Sequence, residues 1–133
     1  MVNAFTYILE NSSSVQALVG LRVGGSASDY KVFPVVVFES ETAPYIVVRL
    51  SGRSPLAKGC GYNYSVDVIC YATSYDAVNA LSAACKTAIE ATASATINGV
   101  DFGSAFLVNE ADGDYLKEHG LYSKISTYES IGD

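Results

Sequence analysis

The chain has a single histidine, and it is the first residue to test for chemistry because imidazole is a common general base and metal ligand. His119 lies in the run Lys117-Glu118-His119-Gly120, which is typical of an exposed turn. A catalytic triad or a metal cluster needs further partners around such a residue, and the sequence contains no G-x-S-x-G nucleophile elbow. We therefore predict a structural or solvent-facing role for His119.

The three cysteines, Cys60, Cys70 and Cys85, form no C-x-x-C pair and have no histidine at metal-ligand spacing. Cys85 falls on the apolar face of a predicted helix, where a buried and unreactive thiol is the expected state. The pattern indicates reduced thiols of a cytoplasmic protein. Half of the residues are hydrophobic, so the chain should fold without a disulfide or a metal.

Two glycine-rich stretches superficially resemble phosphate-binding loops. Residues 52–59 begin with glycine and contain Lys58, but Ala57 replaces the second glycine of the motif and Gly59 replaces the Ser or Thr that binds magnesium. Residues 20–25 lack the G-x-G-x-x-G spacing, and no predicted strand precedes them. We expect both to be ordinary loops, so the sequence predicts no catalytic residue and no cofactor.

The charges of the chain are unevenly distributed. Residues 1–100 hold 7 acidic and 6 basic side chains, whereas residues 101–133 hold 7 acidic and 2 basic ones. Asp112 and Asp114 do not form a calcium loop, because the glycine between them is second rather than sixth. An acidic surface repels phosphate backbones and anionic lipids, which argues against a DNA-reading protein. No run approaches the ~18 apolar residues of a membrane span.

Hydrophobic periodicity predicts one α+β domain over residues 1–133, with the order α-β-β-β-α-β-β. We expect an antiparallel or mixed sheet of about five strands, with the helices packed on one face. The main helix should begin at Thr73 as N-cap, with Asp76 in its first turn. The predicted elements are one or two N-terminal helices up to residue 19, strands 32–38, 45–50 and 62–73, the main helix, and strands 105–108 and 122–128. Residues 51–61 should form a long loop, and residues 110–119 an acidic connection.

Ten tyrosines are an unusual number for a chain of this length, and Tyr is favoured at protein interfaces for its apolar ring and polar tip. Most of them are nevertheless expected to be half-buried sheet residues. The predicted loop adds basic side chains to an otherwise acidic chain, which favours a contact with another protein. Our candidates for assembly contacts are Arg49, Arg53, Lys58, Tyr62 and Tyr64.

Several local patterns resemble the tail terminator or tail completion proteins of long-tailed bacteriophages. They are a helix ending at Leu18-Val19-Gly20, the strand Ala43-Pro44-Tyr45-Ile46-Val47-Val48, the strand of residues 64–71 that leads into Ser74-Tyr75-Asp76, and a closing strand over residues 122–131. The resemblance covers nearly the whole chain. The strand-like run of residues 31–40 departs from the shorter connection expected in this family.

The resemblance implies a structural virion protein, made in the host cytoplasm, that forms a ring of six copies at the head-proximal end of the tail. Such a ring caps the tail tube and joins the tail to the head, with the tube protein and the head-tail connector as partners and no catalysis. The genome must then pass through the ring, and carboxylates on its wall would repel DNA. The candidates for this channel lining are Glu110, Asp112, Asp114 and Glu118, although the same turn is equally compatible with a solvated outer tip.

Two other interpretations stay open from the sequence. Within phage assembly, the alternative is a head-tail connector or a tail tube subunit, which would differ by binding partner and by whether it polymerises openly. From a different class, a small ligand-binding protein or a hydrolytic enzyme remains compatible with the composition.

Overall fold

A computed structural model describes residues 1–21, 29–35, 42–57, 59, 61–97 and 99–132. It contains three helices, α1 (Val2–Glu10), α2 (Ser13–Val19) and α3 (Tyr75–Glu90), and seven strands, β1 (Val32–Pro34), β2 (Tyr45–Pro55), β3 (Tyr62–Ala72), β4 (Ala95–Ile97), β5 (Val100–Phe102), β6 (Ala105–Asp112) and β7 (Tyr122–Gly132). The predicted α+β class is confirmed. The N-terminal stripe forms two helices, and α2 ends at Gly20, whose φ of 72° is readily adopted by glycine.

Five strands form one mixed sheet in the order β1-β2-β3-β7-β6, in which only β1 and β2 run parallel. β4 and β5 form a separate small hairpin. The central strands β3 and β7 pair along their whole length, from Tyr62 opposite Gly132 to Ala72 opposite Tyr122. We call the end of the sheet near Tyr62 the hairpin end, and the end near Tyr122 the turn end.

The three helices pack on one face of the sheet, which we call the helix face. Alternate residues of β3, namely Val66, Val68 and Cys70, are buried against the helices, as period-two alternation requires. The opposite side, the second face, carries a smaller apolar cluster of Phe33, Tyr45, Val47, Ile69 and Leu121. The predicted placement of the helices on one face is therefore confirmed.

The start of α3 differs by one residue from the prediction. The N-cap is Ser74 rather than Thr73, and the Ser74 hydroxyl accepts a hydrogen bond from the Ala77 amide at 3.2 Å. Asp76 lies in the first turn, as predicted, where its carboxylate is favourable for the helix dipole. The predicted apolar stripe is buried, with Leu81 1% exposed at its centre.

The predicted loop over residues 51–61 is wrong for residues 51–55, which extend β2. This half of the strand pairs with β3 in a defined register, with Arg53 opposite Tyr64 and Pro55 opposite Tyr62. A bulge between Leu50 and Gly52 shifts the register by one residue. The backbone ladder of β3 therefore outweighs the weak strand preference of a segment rich in Gly, Ser and Pro.

Two further boundaries differ from the prediction. β6 continues to Asp112, so the first half of the predicted acidic connection is a strand paired with β7. The predicted strand over residues 32–38 is observed as β1 over its first three residues, and residues 36–41 lie outside the described residues. The β4–β5 hairpin is not among the predicted elements.

Candidate functional site

Arg53 and Tyr62 form a small exposed group at the hairpin end. The guanidinium carbon of Arg53 lies 4.5 Å from the centroid of the Tyr62 ring, a distance typical of a cation–π contact. Arg53 is exposed and Tyr62 is half-buried. Tyr64 is only 8% exposed and packs in the core, so its side chain offers no surface to another subunit. Lys58 lies outside the described residues.

Arg49 lies on the second face, where its Nε donates to the Asp67 carboxylate at 3.3 Å. Asp67 also accepts a hydrogen bond of 2.7 Å from the Thr127 hydroxyl, so this buried carboxylate has two donors. The Arg49 side chain stays 52% exposed. Two of the predicted assembly contacts, Arg49 and Arg53, therefore lie apart from each other. Arg53 lies on the helix face near the hairpin end of β2, and Arg49 lies on the second face near the middle of the strand.

A groove of about 400 Å³ crosses the second face beside Arg49. It is lined by Val35, Tyr45, Val47, Arg49, Ile69, Tyr71, Leu116 and His119. Burial raises the pKa of Tyr45 and of Tyr71, whose rings lie 5.0 Å apart, so both phenols are neutral hydrogen-bonding groups at pH 7. The groove offers apolar contact and one cation, and no paired nucleophile and base lines it.

The structure separates the four carboxylates predicted to line a channel. Glu110 forms an ion pair of 3.1 Å with Lys124 and accepts a hydrogen bond from the Ser82 hydroxyl. The hydrogen bond to Glu110 also raises the pKa of Lys124. Asp112 accepts hydrogen bonds of 3.0 and 3.2 Å from the Tyr75 hydroxyl. Both carboxylates therefore lie on β6, turned toward α3 on the helix face.

Asp114 and Glu118 belong instead to the turn of residues 113–121, and both are exposed. Backbone hydrogen bonds between Leu116 and Leu121 close this turn. His119 is exposed in the same turn, as its sequence context predicts. The expected acidic tip is thus shorter than predicted, because β6 takes up its first residues.

Two cysteines lie in the core rather than at a reactive surface. The sulfur atoms of Cys70 and Cys85 are 4.0 Å apart, and both residues are at most 1% exposed. Their mutual hydrogen bond and burial raise the pKa of Cys85 well above its ordinary value, so the thiol is not a nucleophile. Cys60 lies outside the described residues.

Among the described residues, no group of three or more His, Cys, Asp or Glu side chains is placed to hold a metal ion. Within the same part of the chain, no helix is long and apolar enough to cross a membrane. The described residues therefore offer basic and acidic segments on two different strands, the groove on the second face, and a cavity of about 330 Å³ whose lining includes Tyr7, Asn11 and Ala88.

Comparison with known proteins identifies a family and a fold. The family model described as "Tail completion protein gp17" matches residues 4–123. A solved chain from the virion of a native gene transfer agent particle superimposes with a TM-score of 0.71 at 12% sequence identity, covering 99% of this chain and 93% of that chain. A comparison with curated protein sequences finds no match.

Proposed function

The chain belongs to the tail completion protein gp17 family and is a structural protein of a phage-type tail, and we propose that it forms a ring that caps the tail tube and joins the tail to the head. The observation that carries this proposal is the family match over residues 4–123, which spans α2, α3, six of the seven strands and most of α1. The shared fold with a chain of a virion particle supports the same role.

A ring of six copies fits a chain of this architecture. Small domains close into rings when the contact between neighbours joins two different surfaces, because such head-to-tail contacts either close or continue as fibres. Here the basic strand β2 lies toward one lateral edge of the sheet, and the acidic strand β6 forms the other edge. The proposed partners are further copies of the chain, the tail tube protein and the head-tail connector, at the head-proximal end of the tail.

Within the proposed ring, we place the lining of the DNA channel in the turn of residues 113–121. Asp114 and Glu118 are exposed there, whereas Glu110 and Asp112 lie on β6 and are turned toward α3. Carboxylates at the ring opening repel phosphates and so let DNA pass. Changing Asp114 and Glu118 together to Lys should give salt-sensitive DNA retention by intact rings. A ring structure with this turn on the outer rim would overturn the channel role.

The ring proposal is tested by native mass spectrometry and negative-stain microscopy of the purified protein, alone and with tail tube subunits. We expect closed rings that attach to one end of a tube. A protein that stays monomeric at high concentration, also in the presence of tubes, contradicts the proposal. Open polymerisation into tubes favours the tail tube alternative, and binding to tailless heads favours the connector alternative.

A further inference from the structure

Two segments of the five-stranded sheet have no strand of the described chain on one side. β1 pairs with residues 46–48 of β2, so among the described residues no strand lies beside residues 49–55. At the other edge, the Glu90 carboxylate accepts the Leu107 N–H at 3.2 Å, and a bulge follows between Leu107 and Asn109. Beyond that bulge, no described strand lies on the outer side of residues 109–112. Among the described residues, the hairpin-end half of β2 and the turn-end half of β6 are therefore uncovered edges.

The backbone of Arg53 points outward from the β2 edge. The Val48 carbonyl accepts the Val35 N–H at 2.9 Å, so at this position the β2 backbone is directed away from β3. Val48 is opposite Val68, and Arg53 is opposite Tyr64, four residues earlier on β3. Outward and inward positions alternate along an antiparallel ladder, so Arg53 repeats the outward orientation of Val48. Its N–H and C=O face the uncovered side.

The same alternation orients β6. Leu107 donates its N–H outward to Glu90, and it is opposite Tyr128 of β7. Glu110 and Asp112 are opposite Ser126 and Lys124, which lie two and four residues before Tyr128 on β7. Their backbone N–H and C=O groups therefore point outward, as those of Leu107 do. The N–H of Gly113 bonds inward to β7 at 3.0 Å, as the alternation requires for the intervening position. Glu110 and Asp112 thus present their backbone groups at the uncovered edge.

The directions and faces of the two edges match. β2 runs toward the hairpin end and β6 runs away from it, so a second copy in the same orientation places the two strands antiparallel. Arg53 lies on the helix face, over Tyr62, and Glu110 and Asp112 lie on the same face, turned toward α3. Residues directly opposite in an antiparallel pair have their side chains on one side. The pairing therefore places a cation beside a carboxylate.

We propose that residues 49–55 of one copy pair with residues 109–112 of the next as an antiparallel intersubunit ladder, with Arg53 facing Glu110 or Asp112 of its neighbour. The proposal deepens the proposed ring and rests on it. Because the two edges differ, the contact is head-to-tail and propagates around a ring. The sheets of adjacent copies then form one continuous sheet, and the uncovered halves of β2 and β6, which would otherwise favour uncontrolled association, are paired with each other.

Cross-linking tests the contact directly. In a Cys60→Ser background, Arg53→Cys and Asp112→Cys are combined in one chain and treated with a short bismaleimide, while Cys70 and Cys85 stay buried. We expect a ladder of covalent oligomers on denaturing gels from the double variant and at most dimers from either single variant. Rings seen by microscopy without a ladder would overturn the strand pairing but leave the ring intact. A ladder without rings would support the pairing and count against the closed ring.

Charge reversal supplies the second test. Arg53→Glu and Asp112→Arg should each raise the concentration needed for assembly about tenfold or more, and the double variant should recover most of the loss. Arg53→Ala removes the side chain beyond Cβ, including its contact with Tyr62, but keeps the N–H, whereas Arg53→Pro also removes that N–H, which points away from β3. Assembly should fall further with Pro than with Ala while both variants keep the wild-type circular dichroism. Equal assembly by the four single variants, all of them folded, would refute the ladder.

Discussion

The Tyr128 hydroxyl makes a specific prediction about stability. Tyr128 is fully buried on β7 in the core beneath the helices, and its ring centroid lies 6.1 Å from that of Phe5. Its hydroxyl oxygen has no hydrogen-bond partner among the described residues. A buried polar group without a partner costs about 1–3 kcal/mol. We therefore expect Tyr128→Phe to stabilise the protein, although removal of a core atom normally destabilises.

The size of the effect follows from the geometry. Phe keeps the ring and its packing, so only the space of one oxygen is left, and the expected net gain is about 1–2 kcal/mol. Unfolding entropy of about 2.1 cal/mol/K per residue gives about 0.28 kcal/mol/K for 133 residues. The melting temperature should then rise by about 4–7 °C. Burial raises the pKa of Tyr128, so the phenol is neutral at pH 7 and ionisation does not enter the comparison.

Thermal and urea unfolding followed by circular dichroism measure this change. Tyr122→Phe is the matched control, because Tyr122 lies on the same strand, is 37% exposed, and its hydroxyl is not among the buried groups that lack a partner. The control should stay within about 0.5 kcal/mol of the wild type. A loss of 1 kcal/mol or more in Tyr128→Phe would refute the reasoning and reveal a partner for the hydroxyl, such as a buried water.

Four further predictions follow from the packing. Leu81→Ala should cost about 2–5 kcal/mol in urea unfolding, because the side chain is 1% exposed in the centre of the core, and a neutral result would contradict the assigned helix face. Ser130→Ala should gain about 1 kcal/mol in the same assay, since its buried hydroxyl also has no partner among the described residues. Gly103→Ala should cost about 1–3 kcal/mol because a Cβ there would meet the β7 backbone, whereas Gly52→Ala has open space and should be nearly neutral. The raised pKa of Cys85 keeps its thiol protonated at pH 8, so peptide mass spectrometry of the Cys60→Ser variant should detect no labelling of Cys85 by a thiol reagent until urea unfolds the chain.

The elements that the sequence predicted well are those whose own pattern determines their burial. The stripe of α3 and the alternation of β3 each mark one apolar face, and both faces pack as expected. Their ends were less accurate, since Thr73 and Ser74 are both good N-caps and only the geometry of the preceding strand selects Ser74. The resemblance to tail completion proteins, which rested on these same segments, is confirmed by the family match.

The misplaced elements depend on distant partners. Residues 51–55 and 109–112 have weak strand propensity, and they become strands because β3 and β7 supply complete ladders for them. Neither ladder can be deduced from local composition. The same cause affected the candidate contacts. Arg53 was predicted in a loop and lies at a strand edge, and Tyr64 was predicted at the surface and lies in the core.

The position of β7 between β3 and β6 has a consequence for the order of folding. The bond between Asp67 and Thr127 joins residues 60 positions apart, so closing the β3–β7 ladder brings together distant parts of the chain. Loop closure of that length costs about 3.6 kcal/mol by the (3/2)RT ln n relation, before any ladder contact compensates for it. During translation, the β2–β3 hairpin and α3 emerge first and have no central strand to hold β6. The sheet is completed only after residues 122–132 leave the ribosome, and contacts dominated by such separations fold on the slower, millisecond-to-second timescale.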